Sequence, residues 1–89
     1  MTKLALKHLR KQRMVFASKA TLAERWDMTP RNVTNIVNEM LDDGRYGDFY
    51  YPSHRNTRIR VDAFDHYMMN RNDIKDGRKV IPYKKGMAT

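Results

Sequence analysis

Residues 29–44 carry the clearest structural pattern in the chain, and they read TPRNVTNIVNEMLDDG. Thr29 followed by Pro30 is typical of a helix start, because a threonine hydroxyl accepts from free backbone N–H groups and proline suits the first helical position. Apolar side chains then recur at the spacing of one helical face, at Val33, Ile36, Val37, Met40 and Leu41. Gly44 is suited to end the helix. The stretch therefore predicts an amphipathic helix with these five apolar residues buried.

A shorter helix is predicted just before it. Ser18 is a suitable N-cap for a helix over residues 19–26. The apolar face of that helix consists of Leu22, Ala23 and Trp26. Residues 27–29 break the pattern, so two helices are expected to meet across a tight turn. In a helix-turn-helix the second helix enters the major groove of DNA.

The side of the second helix opposite its apolar face is polar. Glu39 is expected on this polar side, together with the residues that we assign to DNA recognition. We assign DNA recognition to Thr29, Arg31, Asn32, Thr34, Asn35 and Asn38. Arginine can donate two bonds to guanine, asparagine can pair with adenine, and threonine hydroxyls can bond to phosphates. Asparagine is a poor helix former, so three of them in one helix favour a face that binds a ligand. The alternative is the solvated polar face of a small domain.

Strand-like segments follow at residues 48–51 and 58–61, joined by a turn-rich connection. Apolar and arginine residues alternate in the second segment, which predicts a hairpin with one apolar and one basic face. We assign wing contacts with DNA to His54, Arg55, Asn56, Arg58 and Arg60. An arginine at the tip can enter a narrow minor groove. The alternative is a hairpin edge that charge keeps soluble.

The other elements rest on weaker signals. Residues 1–13 are expected to form a basic N-terminal helix, and residues 14–16 a brief extended segment. Asp62 is expected to cap a helix within residues 62–70. The inward face of this last helix is expected to hold Phe64, Tyr67 and Met68. Residues 80–83 are either a docked extended piece or disordered until bound.

Together these elements predict an α+β, mainly helical fold of the winged helix-turn-helix type. We expect one domain over residues 1–71, with the helix-turn-helix at 19–43, a two-stranded wing at 47–61 and a short helix after the wing. Residues 72–89 are expected to form a basic C-terminal tail.

The composition favours a polyanionic partner. The 89 residues include 18 Lys or Arg and 10 Asp or Glu, giving a formal charge of +8 and a pI of about 10.1. A pI above about 9 is typical of nucleic-acid-binding domains. The basic residues concentrate in residues 1–20, 45–61 and 77–89. We assign Lys19 and Arg45 to phosphate contacts; a plain basic domain or a membrane-surface binder is the alternative.

Other classes of protein lack support in the chain. The absence of cysteine excludes disulfides and cysteine-based zinc sites. The three histidines are scattered and no phosphate-loop or dinucleotide motif occurs, so we expect no metal, no cofactor and no enzyme activity. Asp62 and His66 are expected to form a surface pair or cap contact. No apolar run approaches the roughly 20 residues that span a bilayer, so no membrane-spanning segment is expected, and no membrane is assigned as a partner.

Two runs of sequence resemble a known family. Residues 21–33 read TLAERWDMTPRNV, which resembles the opening helix, turn and recognition helix of excisionase and MerR-type winged-helix proteins. Residues 58–67 read RIRVDAFDHY, similar to the ending of that group, where a wing strand runs into a short helix through an acidic cap. The resemblance spans Ala20–Tyr67. Two features depart from it: the wing segment Gly44–Thr57 is longer than is usual, and a basic segment precedes the domain.

The resemblance implies a double-stranded DNA-binding factor of a phage or mobile element that bends DNA and assists a site-specific recombinase. It also implies that the C-terminal tail contacts the recombinase, and we assign this contact to Arg78, Lys79, Tyr83, Lys84 and Lys85. A second copy of the chain on DNA is expected, since one small domain reads few base pairs. The compartment would be the cytoplasm of a bacterial or phage-infected cell, at the nucleoid, and no small-molecule substrate is expected.

Other functions stay open. One is a small phage or plasmid transcriptional regulator, which shares the same domain. Another is a winged-helix adaptor or antirepressor that binds protein through the Asn-rich face. A third is RNA binding, for which Tyr50 and Tyr51 are the only candidate stacking residues.

Overall fold

A computed structural model describes residues 15–53 and 57–86 of the chain. Within them the protein is an α+β fold with three helices and a three-stranded antiparallel sheet, and about half of these residues are helical. In chain order the elements are β1 (Phe16–Ala17), α1 (Lys19–Arg25), α2 (Pro30–Asp43), β2 (Tyr50–Tyr51), β3 (Arg58–Arg60) and α3 (Val61–Lys75). The predicted α+β class is confirmed. The helix expected over residues 1–13 lies outside the described residues.

Local capping signals start α1 and α2 where predicted and end α2 where predicted, while α1 ends at Arg25, one residue before the predicted end. The Ser18 hydroxyl accepts from the Thr21 backbone N–H at 3.1 Å, and the Thr29 hydroxyl accepts from that of Asn32 at 3.2 Å. Pro30 occupies the first turn of α2. Gly44 ends α2 with a φ of 79°, a left-handed conformation that costs a glycine little.

The turn between α1 and α2 contains a non-glycine residue in the left-handed region. Asp27 has a φ of 53°. This conformation lets the Met28 N–H reach back to the Ala23 carbonyl at 2.8 Å, which satisfies a carbonyl at the end of α1. Aspartate tolerates the left-handed region better than most residues, and this fits its place in the turn.

The sheet has the strand order β1-β3-β2, so the predicted hairpin is confirmed and gains a third strand. Phe16 lies opposite Arg60 and Ala17 opposite Ile59, while Tyr50 and Tyr51 lie opposite Ile59 and Arg58. The expected extended segment at 14–16 therefore pairs instead at 16–17. Ile59 in the central strand is fully buried, and it pairs with Ala17 on one side and with Tyr50 on the other.

Helix α3 differs from the prediction at both ends. It begins at Val61 with Arg60 in the N-cap position, so Asp62 lies in the first turn and is not the cap. An early start places Val61, Phe64, Asp65 and Met68 on one face, and this face packs inward. The helix continues to Lys75, beyond the predicted end at residue 70. Gly77, with a φ of 73°, follows the end.

The core lies where α1, α2, α3 and the sheet meet. Its fully buried large side chains include Leu22, Val33, Val37, Met40, Phe49, Ile59 and Phe64. Trp26 and Met68 are partly buried against this cluster, as expected for apolar-face residues. The prediction that Leu41 is buried is wrong. Its periodicity placed it on the buried face of the helix, but it is 47% exposed. None of the described helices has the length and apolar character to cross a bilayer.

Residues 80–86 dock on the domain, which decides between the two predicted states of this segment. The Tyr83 ring packs against Tyr46 with a centroid distance of 5.3 Å. The Gly86 N–H donates to the Asp62 carboxylate at 2.6 Å. The His66 imidazole contacts the Ile81 carbonyl oxygen at 2.6 Å. The segment is therefore held by ring packing and by hydrogen bonds to α3.

Candidate nucleic-acid interface

One side of α2 presents polar side chains to solvent. This outer side of α2 is made of Arg31, Asn32, Asn35 and Asn38, all of which are exposed. Within residues 15–53 and 57–86, none of the four side chains has an intramolecular hydrogen bond, ion pair or ring contact. The amides and the guanidinium therefore keep their full hydrogen-bonding capacity for a ligand.

The two threonines of the predicted site are engaged within the helix. The Thr29 hydroxyl accepts from the Asn32 backbone as the N-cap. The half-buried Thr34 donates its hydroxyl to the Pro30 carbonyl at 3.2 Å. Each hydroxyl thus has a structural role at the start of α2, next to the outer side.

Glu39 does not lie on the outer side of α2, which corrects the prediction. Its carboxylate faces α3 and accepts from the Tyr67 hydroxyl at 2.7 Å and from the Arg71 guanidinium at 2.7 and 3.0 Å. Lys75 approaches it at 3.4 Å. The hydrogen bonds from Arg71, helped by that from Tyr67, outweigh partial burial and lower the pKa of Glu39 to about 2. A negative charge is thereby drawn away from the outer side.

The structure divides the predicted cationic contacts into two groups. Among the described residues, Lys19, Arg31 and Arg58 have no intramolecular partner. Arg45 instead forms an ion pair with Asp43, and its guanidinium accordingly has a raised pKa because of that hydrogen bond. Lys19 is half-buried at the start of α1, whereas Arg31 and Arg58 are exposed. Among the residues that the structure describes, Arg31 and Arg58 are thus the predicted arginine contacts that remain available.

Arg60 was predicted as a wing contact, but the fold uses its side chain internally. It is 12% exposed and donates to both oxygens of Asp62, at 3.1 and 3.0 Å, and to the Tyr83 hydroxyl at 3.3 Å. Burial alone would raise the pKa of Asp62, yet the hydrogen bonds from Arg60 and from the Gly86 N–H leave it lowered. His54, Arg55 and Asn56, the other wing candidates, lie outside the described residues.

The predicted partner-contact residues of the tail have different environments. Tyr83 is half-buried against the domain, and burial raises the pKa of its hydroxyl. Arg78 pairs with Asp73 at 3.2 Å and with Asp76 at 3.7 Å. Lys79, Lys84 and Lys85 are exposed. Within the described part of the tail, Lys79 and Lys85, and not Tyr83 or Arg78, are the groups most open to a partner.

A buried carboxylate that sequence reasoning missed anchors α1 to α3. Asp65 is 1% exposed, and it accepts from the Arg25 guanidinium at 3.0 Å and from the Trp26 indole N–H at 2.8 Å. A signal was available: Asp65 occupies an apolar position in the pattern that begins with Val61 and Phe64. A charge at such a position is buried with a partner.

His66 is also buried, so the expected surface pair with Asp62 is wrong. A carbonyl can only accept, so His66 Nε2 carries the proton donated to Ile81. In the neutral ring, Nδ1 then accepts from the Tyr46 hydroxyl at 2.8 Å. Burial raises the pKa of that hydroxyl. The histidine links the Tyr46 loop to the docked tail and takes no part in the outer side of α2.

Comparison of the chain with protein-family models, with curated proteins and with solved structures finds no match.

Proposed function

We propose that the protein binds double-stranded DNA, with the outer side of α2 in the major groove. The observation that carries this proposal is that Arg31 and three asparagines share one exposed side of a helix and have no intramolecular partner among the described residues. A side chain that is neither packed nor bonded contributes little to folding. Its chemistry is therefore best explained by a ligand that presents hydrogen-bonding groups along a groove.

The residue types match the edges of base pairs. Arg31 can donate two bonds to guanine O6 and N7, and Asn35 can pair with N6 and N7 of adenine. Arg58 and Lys19, which have no intramolecular partner in the described part of the chain, supply charge for phosphates. The net charge of +8 gives a field that attracts DNA.

In its finer form, the proposal is a winged helix-turn-helix, with α1 and α2 as the helix pair and the β2–β3 hairpin as the wing. The resemblance of residues 21–33 and 58–67 to excisionases supports an architectural factor that bends DNA beside a site-specific recombinase. The tail lysines are then the candidate contact with the recombinase. Such a protein would act at the nucleoid and would need no catalytic residue or cofactor of its own.

The test is site selection from a random duplex pool, followed by affinity measurements on the selected duplex and on a scrambled one. We expect the logarithm of the binding constant to fall linearly with the logarithm of the salt concentration, with a slope of about −0.9 per phosphate contact. Arg31→Gln and Asn35→Ala should each reduce discrimination between the two duplexes by about 1–3 kcal/mol. Lys79→Gln, a charge-matched control for Arg31→Gln, should lower the affinity for both duplexes by the same factor.

Three outcomes separate this function from its alternatives. Discrimination that is unchanged in both α2 variants would reject the recognition assignment. Selected duplexes that bind tightly without bending would favour a transcriptional regulator over an architectural factor. Failure of every duplex to bind at low salt would reject DNA binding and favour the alternative of a protein-binding adaptor.

A further inference from the structure

The outer surface of the sheet carries an aromatic pair beside arginines. Because side chains alternate along a strand, Ala17 and Ile59 point into the core and Phe16, Tyr51 and Arg58 point away from it. We name the surface made of these last three residues the Phe16–Tyr51 face. Phe16 is 36% exposed, Tyr51 is 43% exposed, and Arg58 is exposed as well.

The two rings are held in place by contacts across the sheet. Their centroids are 5.5 Å apart, at an interplanar angle of 71°. The Arg60 guanidinium lies 5.5 Å from the centroid of the Phe16 ring, and the Tyr51 hydroxyl donates to the Asp48 carbonyl at 3.0 Å. The face is therefore ordered without a ligand, so binding would require little rearrangement of the rings.

Each ring lies opposite an arginine of β3, Phe16 opposite Arg60 and Tyr51 opposite Arg58. Arg58, opposite Tyr51 in the sheet, has no ion pair within the described residues. The sequence before β1 is also basic, with Lys3, Lys7, Arg10, Lys11 and Arg13 and no acidic residue among residues 1–14. Exposed rings beside Arg58, which has no acidic partner among the described residues, complement a polyanion that also offers flat apolar groups.

We propose that the Phe16–Tyr51 face binds single-stranded nucleic acid, with an unpaired base stacked on an aromatic ring and a phosphate on Arg58. Bases inside a duplex are stacked on each other, so rings on a sheet surface cannot reach their faces, whereas an unpaired base can lie on a ring. This site shares Arg58 with the proposed duplex contacts, but its rings lie apart from the outer side of α2, and base stacking on them does not depend on the function proposed for that side.

The test measures binding of the full chain to labelled oligothymidylate and oligouridylate of about 12 nucleotides, which suits a small single-strand site. Tyr51→Leu keeps apolar contact with Phe16 but removes a stacking ring, and we expect it to bind both oligomers about tenfold more weakly. Duplex affinity should be unchanged in this variant. Arg31→Gln should bind the duplex more weakly and the two oligomers as well as the parent does. Failure of either proposal is therefore distinguishable from failure of the other.

Charge is controlled by comparing Arg58→Gln with Lys79→Gln, since each removes one cation that has no partner within residues 15–53 and 57–86. The Arg58 variant should lose several-fold more affinity for the oligomers. A measurement on the unmodified chain keeps the test independent of folding: photocrosslinking of an iodouracil-containing oligomer should attach to the peptide with Phe16 or to that with Tyr51. A preference between the two oligomers would then assign the strand as DNA or RNA.

The proposal is overturned by any of three results. The first is no association with either oligomer at about 50 mM salt, where electrostatic binding is strong. The second is equal loss in the two charge variants together with no loss in Tyr51→Leu. The third is competition by polyglutamate as effective as that by unlabelled oligomer, which would assign the face to an acidic protein partner.

Discussion

Arg25 and Arg31 belong to neighbouring helices, yet their surroundings differ completely. Arg25 donates to the buried carboxylate of Asp65, which also holds the Trp26 indole. Arg31 extends from the outer side of α2 and has no such partner in the described chain. The side of the domain toward α3 therefore uses charged residues to join helices, whereas the outer side of α2 keeps them available. Identical residue types thus serve stability on one side and remain open for binding on the other.

The largest effect is expected from breaking the stabilising side. Arg25→Ala leaves the Asp65 carboxylate buried without its guanidinium, which should lower the free energy of unfolding by about 3 kcal/mol. Arg31→Ala should change it by less than about 0.5 kcal/mol, because an exposed residue without partners contributes little. Urea denaturation of both variants measures the difference. Similar losses of unfolding free energy in the two variants would show that Arg31 stabilises the fold as much as Arg25 does, which would contradict the contrast between the two sides.

A second effect concerns Glu39, which belongs to α2 but faces α3. Its pKa is lowered to about 2, so the stabilisation is complete above its ordinary pKa near 4.5 and is lost as the pH falls toward 2. Glu39→Gln should therefore cost about 1–2 kcal/mol at neutral pH, allowing for solvent screening of a partly exposed group, and much less near pH 2.

The measurement is the free energy of unfolding of the parent and of Glu39→Gln between pH 2 and 7. The comparison of the two proteins removes the contribution of the other carboxylates. A difference that stays constant over this range would show that the ion pairs with Arg71 and Lys75 do not stabilise the contact between α2 and α3.

The smallest effect is expected at the turn that sets α2 against α1. Asp27→Gly removes a side chain from a residue with a φ of 53°, and it should stabilise the protein by about 0.5 kcal/mol. Duplex discrimination should not change, since the outer side of α2 is untouched. Thermal unfolding and duplex binding test this together. Destabilisation would mean that the carboxylate of Asp27 has a structural role in the turn.

Sequence reasoning succeeded where the determining interactions are local. The caps at Ser18 and Thr29 and the stop at Gly44 each act within one helical turn, so composition and spacing predict them. The same reasoning misplaced Leu41 and Glu39, at the two margins of the apolar arc. Periodicity gives the direction of a helical face but not its width, which depends on the neighbouring elements.

The ends of α3 and the pairing of β1 show the same limit. Nothing near residue 70 stops the helix, and its last turns bond to Glu39, which is more than 30 residues away in sequence. A strand of two residues such as β1 is too short for its sequence pattern to predict it. It forms because β3 offers an edge beside the core. Both features depend on partners distant in the chain.

The amino-acid sequence alone determined the helix pair, the hairpin and the excess of positive charge, because capping, periodicity and charge act over a few residues or are simple sums. Only the tertiary structure decided which arginines are neutralised by carboxylates, which acid turns away from the outer side of α2, and which rings stay exposed on the sheet. Those outcomes depend on the distance between groups that are far apart in sequence, and only the folded chain sets these distances.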